Sequence, residues 1–195
     1  MYIKIKRIID IILSIVLIII LSIPMLIIAL AIKIQGKGKI IYKSKRIGKN
    51  LEPFYMYKFR SMTNEKQITK IGKIIRRTSL DELPQLFNII KGEMSFIGPR
   101  PWISDYYEYL TEEQKRRNDF LPGITGLAQA NGRNGISVLK KIEYDIQYVN
   151  NIDFMLDVKI ILKTIKTIFT EKNVDITEQG IKKEIEELRR EREKK

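Results

Sequence analysis

The 195-residue chain carries a formal charge of +13, with 36 Lys and Arg against 23 Asp and Glu, and contains neither histidine nor cysteine. Without thiols there is no disulfide framework, Cys nucleophile or thiolate-bound metal; without imidazoles there is no Ser-His-Asp or Cys-His catalysis, His-ligated zinc or ordinary near-neutral base. A hydrophobic share of 44% supplies a core for one domain with attachments, and the positive excess points to nucleic acid, acidic lipid headgroups or phosphorylated substrates.

Residues 11–32 include no charged side chain. As a straight helix rising about 1.5 Å per residue, this run would cross a hydrocarbon core of about 30 Å. It is too long for a cleavable leader, and no small-residue cleavage site follows it. Lys4, Lys6 and Arg7 precede it, and Lys33, Lys37, Lys39, Lys43, Lys45 and Arg46 follow it. That symmetry places both ends on the cytoplasmic side. Pro24, near the middle, removes a backbone donor and bends a helix. Two readings stand: a re-entrant membrane helix bent at Ser22-Ile23-Pro24, with Ser22 bonding the freed backbone groups, or a kinked transmembrane helix.

Beyond it, "KIIYKSKRIG" and "FYMYKFRSM" read as two strands joined by a turn at Gly48-Lys49-Asn50. Lys58 and Arg60 project from the second strand, Lys58 as a phosphate contact or as a solvent-facing residue. Helical patterns follow over 68–76, 80–91, 103–110, 111–118 and 138–149, interrupted by the Gly/Pro-marked "SFIGPRP" and "LPGITGLAQANGRNG". Over 156–169, Val158, Ile161, Leu162, Ile165, Ile168 and Phe169 share one helical face, with Lys159, Lys163 and Lys166 on another. The pattern fits a helix lying in an anionic membrane surface or an ordinary helix packed on the core. The charged tail from residue 181 is either a solvated helix or a weak seam for a homo-oligomer.

"RRTSLDELPQLFN", residues 76–88, holds two adjacent carboxylates just after two arginines. Ser79 with Glu82 three residues later matches a capping box, which would make Glu82 a helix cap and leave Asp81 solvated. Alternatively, Arg76 and Arg77 keep Asp81 ionised, as a nucleophile toward phosphorus or a magnesium ligand neutralising a diphosphate. In "GPRP", Pro99 and Pro101 restrict the backbone on both sides of Arg100. A guanidinium aimed this way suits phosphate oxygens, or an ion pair within a turn. "PGITGLAQANGRNG" offers backbone amides and Arg133 to an anion or sugar, but has neither a P-loop nor a dinucleotide fingerprint. Asp145, in "KIEYDIQYV", reads as a helix-surface charge or a ligand.

Taken together, "KRIIDIIL", "YKFRSM", "RRTSLDELPQLFNIIKGEMSFIGPRP" and "PGITGLAQANGRN", in this order over residues 6–170, resemble the bacterial sugar transferase family, the monotopic phosphoglycosyl transferases. The resemblance implies transfer of a sugar-1-phosphate from a UDP-sugar to a polyprenol phosphate, usually undecaprenyl phosphate. UMP is released, and the route is ping-pong through a phosphosugar-aspartyl intermediate. It implies Asp81 as nucleophile, Glu82 as its dyad partner, and Mg2+ held by Asp81, Glu82 and the diphosphate. Lys58, Arg76 and Arg100 match phosphate-binding positions, and Arg133 and Asp145 match further substrate-binding positions. It also implies the re-entrant topology, with Ser22 and Pro24 at the membrane turn and the protein on the cytoplasmic face of the cell membrane. Three departures stand out: Ser22-Ile23-Pro24 replaces adjacent Ser-Pro, Leu127 stands where many members have Trp, and the 63–73 connection is short.

The expected fold is therefore α+β and mostly helical. It comprises a re-entrant helix over 1–35, a catalytic domain over 36–172 with a small β-hairpin and an interfacial amphipathic helix near 155–169, and a charged tail over 173–195. The expected partners are a UDP-sugar, undecaprenyl phosphate and membrane lipids, and no nucleic acid. A membrane-anchored anion-binding module predicts little cost from replacing Asp81 alone. A scaffold that keeps the fold without turnover is the other alternative.

Overall fold

A computed structural model describes residues 1–36, 38–65, 67–132, 135–170 and 190. The uncharged run forms two helices, α1 (Tyr2–Ile20) and α2 (Ser22–Gln35), bent by 63° at Leu21. Pro24 sits in the first turn of α2, where a missing N–H is tolerated. The Ser22 hydroxyl donates to the Ile19 carbonyl at 2.8 Å, satisfying an acceptor at the break. Neither helix alone is long and apolar enough to cross a membrane; the bent pair together is, by length and composition.

The outer surface of α1 reverses the usual pattern of a soluble helix. Lys6, Asp10 and Ser14, four residues apart and so on one face, are its buried positions, while Ile8, Ile12 and Ile19 are exposed. The polar stripe docks on the body of the protein. Lys6 Nζ pairs with Asp157 Oδ2 at 2.8 Å, and Tyr2 and Tyr148 donate to the same carboxylate at 2.6 and 2.8 Å. Arg7 donates to the Ile89 and Ile90 carbonyls at 2.6 and 3.0 Å. A cation there suits the negative end of a helix.

The expected hairpin is present, with β1 (Ile41–Ile47) antiparallel to β2 (Pro53–Phe59) and Lys43 opposite Tyr57. Period-2 alternation sends Phe54 and Met56 into the core and puts Lys58 on the same face. α3 (Lys70–Arg77) follows, capped by Thr69, whose hydroxyl accepts from Gly72 N at 2.9 Å. A single 3₁₀ turn over Leu80–Glu82 then leads into α4 (Gln85–Lys91). Fully buried Asn88 ties α4 to β2, accepting from Tyr57 N at 3.0 Å and donating to Tyr55 O at 2.8 Å.

The two Gly/Pro-marked stretches meet each other. β3 (Ser95–Ile97) runs parallel to β4 (Gly123–Thr125), a pairing not expected from the sequence. Close backbone approach explains the glycines: a Cβ on Gly98 would lie 2.2 Å from the Leu121 carbonyl oxygen, and one on Gly123 would lie 2.1 Å from Gly98 N. The expected helix over 103–110 is a 3₁₀ segment, Ser104–Tyr109, and that over 111–118 splits into α5 (Glu112–Lys115) and a 3₁₀ turn, Arg116–Asn118.

α6 (Leu127–Ala130), α7 (Val138–Asn150) and α8 (Phe154–Thr170) complete the body. Asp157, Ile160 and Thr167 face inward along α8, whereas Ile161, Leu162 and Ile165 are exposed. α8 thus packs on the core through Leu156 and Ile160, as the ordinary surface-helix reading has it, while Ile161, Leu162 and Ile165 are left facing outward. Of the tail over 173–195, only Arg190 is described. The α+β, mostly helical class holds, with two small two-stranded sheets among the described residues.

Candidate active site

Three segments far apart in sequence converge on Glu82. The inward alternation of β2 delivers Lys58, whose Nζ lies 2.8 Å from Glu82 Oε1. The loop after β3 delivers Arg100, whose Nη2 reaches the same oxygen at 3.3 Å. Burial works to raise the Glu82 pKa, but Lys58 and then Arg100 outweigh it and hold the carboxyl down at about 2. Glu82 is therefore a fixed anion at neutral pH.

This geometry corrects the capping-box reading. Ser79 has a left-handed backbone, with φ of 56°, and its side chain makes no cap bond. The chain must reverse between α3 and α4, which moves Ser79 out of the extended conformation an N-cap requires. Two cations, rather than a backbone amide, hold the Glu82 carboxylate.

Asp81 sits beside this ion pair and behaves differently. It is 8% exposed and, among the described residues, makes no ion pair. Burial, reinforced by the neighbouring Glu82 charge, raises its pKa above the ordinary carboxylate value, although Lys58 and Arg76 pull the other way. Arg76 does favour the ionised form, as expected from the sequence, but desolvation is the larger effect and the net shift is upward. Arg76 is exposed at the end of α3, near enough for its charge to act on Asp81.

The remaining site candidates divide. Arg133 lies outside the described residues. Asp145 is not the helix-surface charge that its polar neighbours suggest: it is 2% exposed, and its Oδ2 accepts from Arg117 at 2.6 and 3.0 Å. Its other oxygen, Oδ1, is buried without a hydrogen-bond partner among the described residues. Arg117 donates in turn to the Arg100 carbonyl at 2.8 Å, so Asp145 lies behind the arginine-bearing loop. Sequence reading missed Arg117, because within "EEQKRRND" it looks like one charge of a solvated run.

Among the described residues no cluster of three or more acidic side chains forms a ready-made metal cage. The donor set nonetheless fits magnesium, which takes one or two carboxylates and completes its shell with substrate phosphate and water. Among the described residues Asp81 makes no ion pair, and Lys58 and Arg100 both approach the same oxygen of Glu82.

Two cations thus converge on one carboxylate, beside a second that makes no ion pair among the described residues. The chain belongs to the bacterial sugar transferase family, whose model matches residues 1–171. Among similar proteins, the uncharacterized sugar transferase EpsL of Bacillus subtilis (strain 168) is 40% identical over 183 residues, covering 88% of this chain and 91% of that protein. A UDP-glucose:undecaprenyl-phosphate glucose-1-phosphate transferase of Klebsiella pneumoniae is 40% identical over 181 residues, or 82% of this chain. A UDP-N-acetylgalactosamine-undecaprenyl-phosphate N-acetylgalactosaminephosphotransferase of Aeromonas hydrophila is 37% identical over 188 residues, or 87% of this chain. This chain spans 39% and 44% of the lengths of the latter two.

Proposed function

We propose that this chain transfers a sugar-1-phosphate from a UDP-sugar to a polyprenol phosphate such as undecaprenyl phosphate, by way of a covalent adduct on Asp81. One observation carries the reading: Glu82 is held by ion pairs with Lys58 and Arg100, while adjacent Asp81 is buried and makes no ion pair among the described residues. A pair whose environments push its pKa values apart divides into two roles.

In the first step a carboxylate oxygen of Asp81 attacks the sugar-bearing phosphorus. The bond from that phosphorus to the bridging oxygen breaks, and UMP leaves with the oxygen and its electron pair. In the second step a phosphate oxygen of the polyprenol phosphate attacks the same phosphorus. The bond to Asp81 breaks, giving the polyprenyl diphosphate sugar and free carboxylate. Splitting the transfer lets a polar donor and a long apolar acceptor use one site in turn. Lys58 and Arg100 hold Glu82 ionised and stand within reach of the donor's phosphates, with Arg76 and Arg133 as further cationic contacts. Magnesium, held by Asp81 and Glu82 together with the diphosphate, would neutralise charge on the transferring group.

The exposed apolar surface supports a membrane setting. Ile8, Ile12, Ile19, Ile23, Leu162 and Ile165 are each more than two-fifths exposed. Apolar area of this extent calls for an apolar medium. We read α1 and α2 as a re-entrant hairpin bent at Ser22 and Pro24, and α8 as lying at headgroup depth on the cytoplasmic face. The docked polar stripe of α1 then holds the dyad near the depth at which a polyprenol phosphate presents its phosphate.

UMP release by purified protein, with magnesium, undecaprenyl phosphate and a panel of UDP-sugars, tests the reading beside Asp81→Asn. Release with a donor, lost in the variant, is expected. Equal release from the variant would contradict it.

A further inference from the structure

We propose that Arg117 is a positioning residue for the transfer reaction, fixing the backbone from which Arg100 reaches the dyad, and that Asp145 serves Arg117 rather than the substrate. The inference rests on the reading of Arg100 as part of the active centre.

Arg117 is 1% exposed, yet its guanidinium engages four residues on three separate segments. Nε and Nη2 donate to Asp145 Oδ2 at 3.0 and 2.6 Å, and Nη1 donates to the Tyr107 hydroxyl at 3.0 Å. Nη2 also donates to the Arg100 carbonyl at 2.8 Å, and the guanidinium carbon Cζ lies over the Trp102 ring, 3.8 Å from its centroid. A buried arginine stays charged, with donors but no acceptor, so each contact has a fixed direction.

The "GPRP" segment needs such an anchor. Pro99 and Pro101 have no N–H, which leaves the loop few donors through which to be tied down. Its carbonyls are used instead: Pro99 O accepts from Gly123 N at 2.9 Å, Trp102 O accepts from Ile47 N at 2.9 Å, and Arg100 O accepts from Arg117. Arg117 thus anchors, through a side chain, the residue whose own side chain reaches Glu82. A buried ion pair is weak as a source of stability, because desolvation offsets much of its attraction. Its directional bonds are what a loop placing a charge within a few tenths of an ångström requires. Asp145 supplies the counter-charge that keeps the guanidinium buried and oriented. Lysine cannot substitute, since a point charge on a flexible stem neither forks between these acceptors nor stacks on Trp102.

The test is a double-mutant cycle on the full chain, reading kcat/KM for a UDP-sugar donor with Arg117→Lys, Arg100→Ala and both together. Arg117→Lys should lower kcat/KM by about 30-fold in the Arg100 background and by less than about threefold once Arg100 is Ala, because its effect passes through Arg100. Equal losses in both backgrounds, or no loss in either, would overturn the proposal. Tyr107→Phe, which removes one Arg117 partner and leaves the charges in place, should show a smaller loss with the same dependence on Arg100. It decides the matter if Arg117→Lys does not fold. Amide exchange in the 98–102 segment gives a readout independent of catalysis: it should quicken at least about tenfold in either folded variant. Should the wild type turn over no UDP-sugar, the proposed reaction fails and exchange alone judges the anchor; unchanged exchange would overturn it.

Discussion

Asp81 and Glu82 are adjacent in the chain but occupy opposite electrostatic regimes. Glu82, held at about 2 by Lys58 and Arg100 against the cost of burial, has a folded-state pKa below its unfolded value. Its contribution to stability is therefore fully present above about pH 4.3 and fades as pH falls through about 2. Asp81, raised by burial, contributes in the opposite sense: its stabilisation is present below about pH 3.9 and is lost as pH rises through its folded value. In acid-unfolding measurements on metal-free protein, the wild type should lose stability between about pH 4 and 2 more steeply than Glu82→Gln. Equal slopes would show that the Lys58 and Arg100 contacts do not hold Glu82 down. Carboxyl titration by carbon-detected NMR should place metal-free Asp81 above the ordinary range, and Lys58→Met should move it further up by removing a charge that lowers it. A wild-type value below the ordinary range would contradict desolvation as the dominant effect, and a downward movement in the variant would contradict the lowering assigned to Lys58.

At the scale of elements, the site depends on how α1, the hairpin and the Gly/Pro loops interlock. Lys6→Met leaves Asp157 charged and buried at the base of α8, which should cost roughly 3 kcal/mol of stability. Adding Asp157→Asn should recover much of the loss in thermal unfolding, because a neutral amide needs no counter-charge. If the single variant is as stable as the wild type, α1 is not docked through this pair. Gly98→Ala drives a methyl into the Leu121 carbonyl, a contact of backbone with backbone that cannot relax cheaply. It should destabilise by at least about 2 kcal/mol and weaken turnover by displacing Arg100.

These elements also show which parts of the structure could be read in the sequence. The hairpin was legible because alternation and a Gly-Lys-Asn turn act locally. The β3–β4 pairing was not, since each strand is three residues long and its reason is contact between distant glycines. The adjacent carboxylates could be singled out by their motif, but the capping-box alternative failed because Lys58 and Arg100 hold Glu82 through contacts no local rule contains. Arg117 stayed hidden for a related reason: it lies in a polar stretch that looks solvated, and only tertiary folding buries it against Asp145.

For the whole molecule, the polar stripe of α1 turned inward and the apolar faces of α1 and α8 turned outward are the features on which the proposed membrane setting rests. The chain has no cysteine, so single cysteines introduced by Lys4→Cys and Lys39→Cys, both exposed positions, report topology directly. A re-entrant α1–α2 pair predicts that both label from the cytoplasmic side, whereas labelling from opposite sides would mean a span. Pro24→Ala should straighten the bend at Leu21, shift the labelling toward opposite sides and lower activity by tilting the docked body away from the acceptor's phosphate.

The covalent step on Asp81 is the centre of this account, and one measurement addresses it most directly. Protein is incubated with a UDP-sugar labelled in the sugar, without any polyprenol phosphate, and then digested and mapped. Label retained on the peptide containing Asp81, with a stoichiometric burst of UMP, is the predicted result; it should be absent from Asp81→Asn and discharged on adding undecaprenyl phosphate. UMP release that strictly requires the acceptor, with no label on the protein, would contradict it and indicate a single direct displacement.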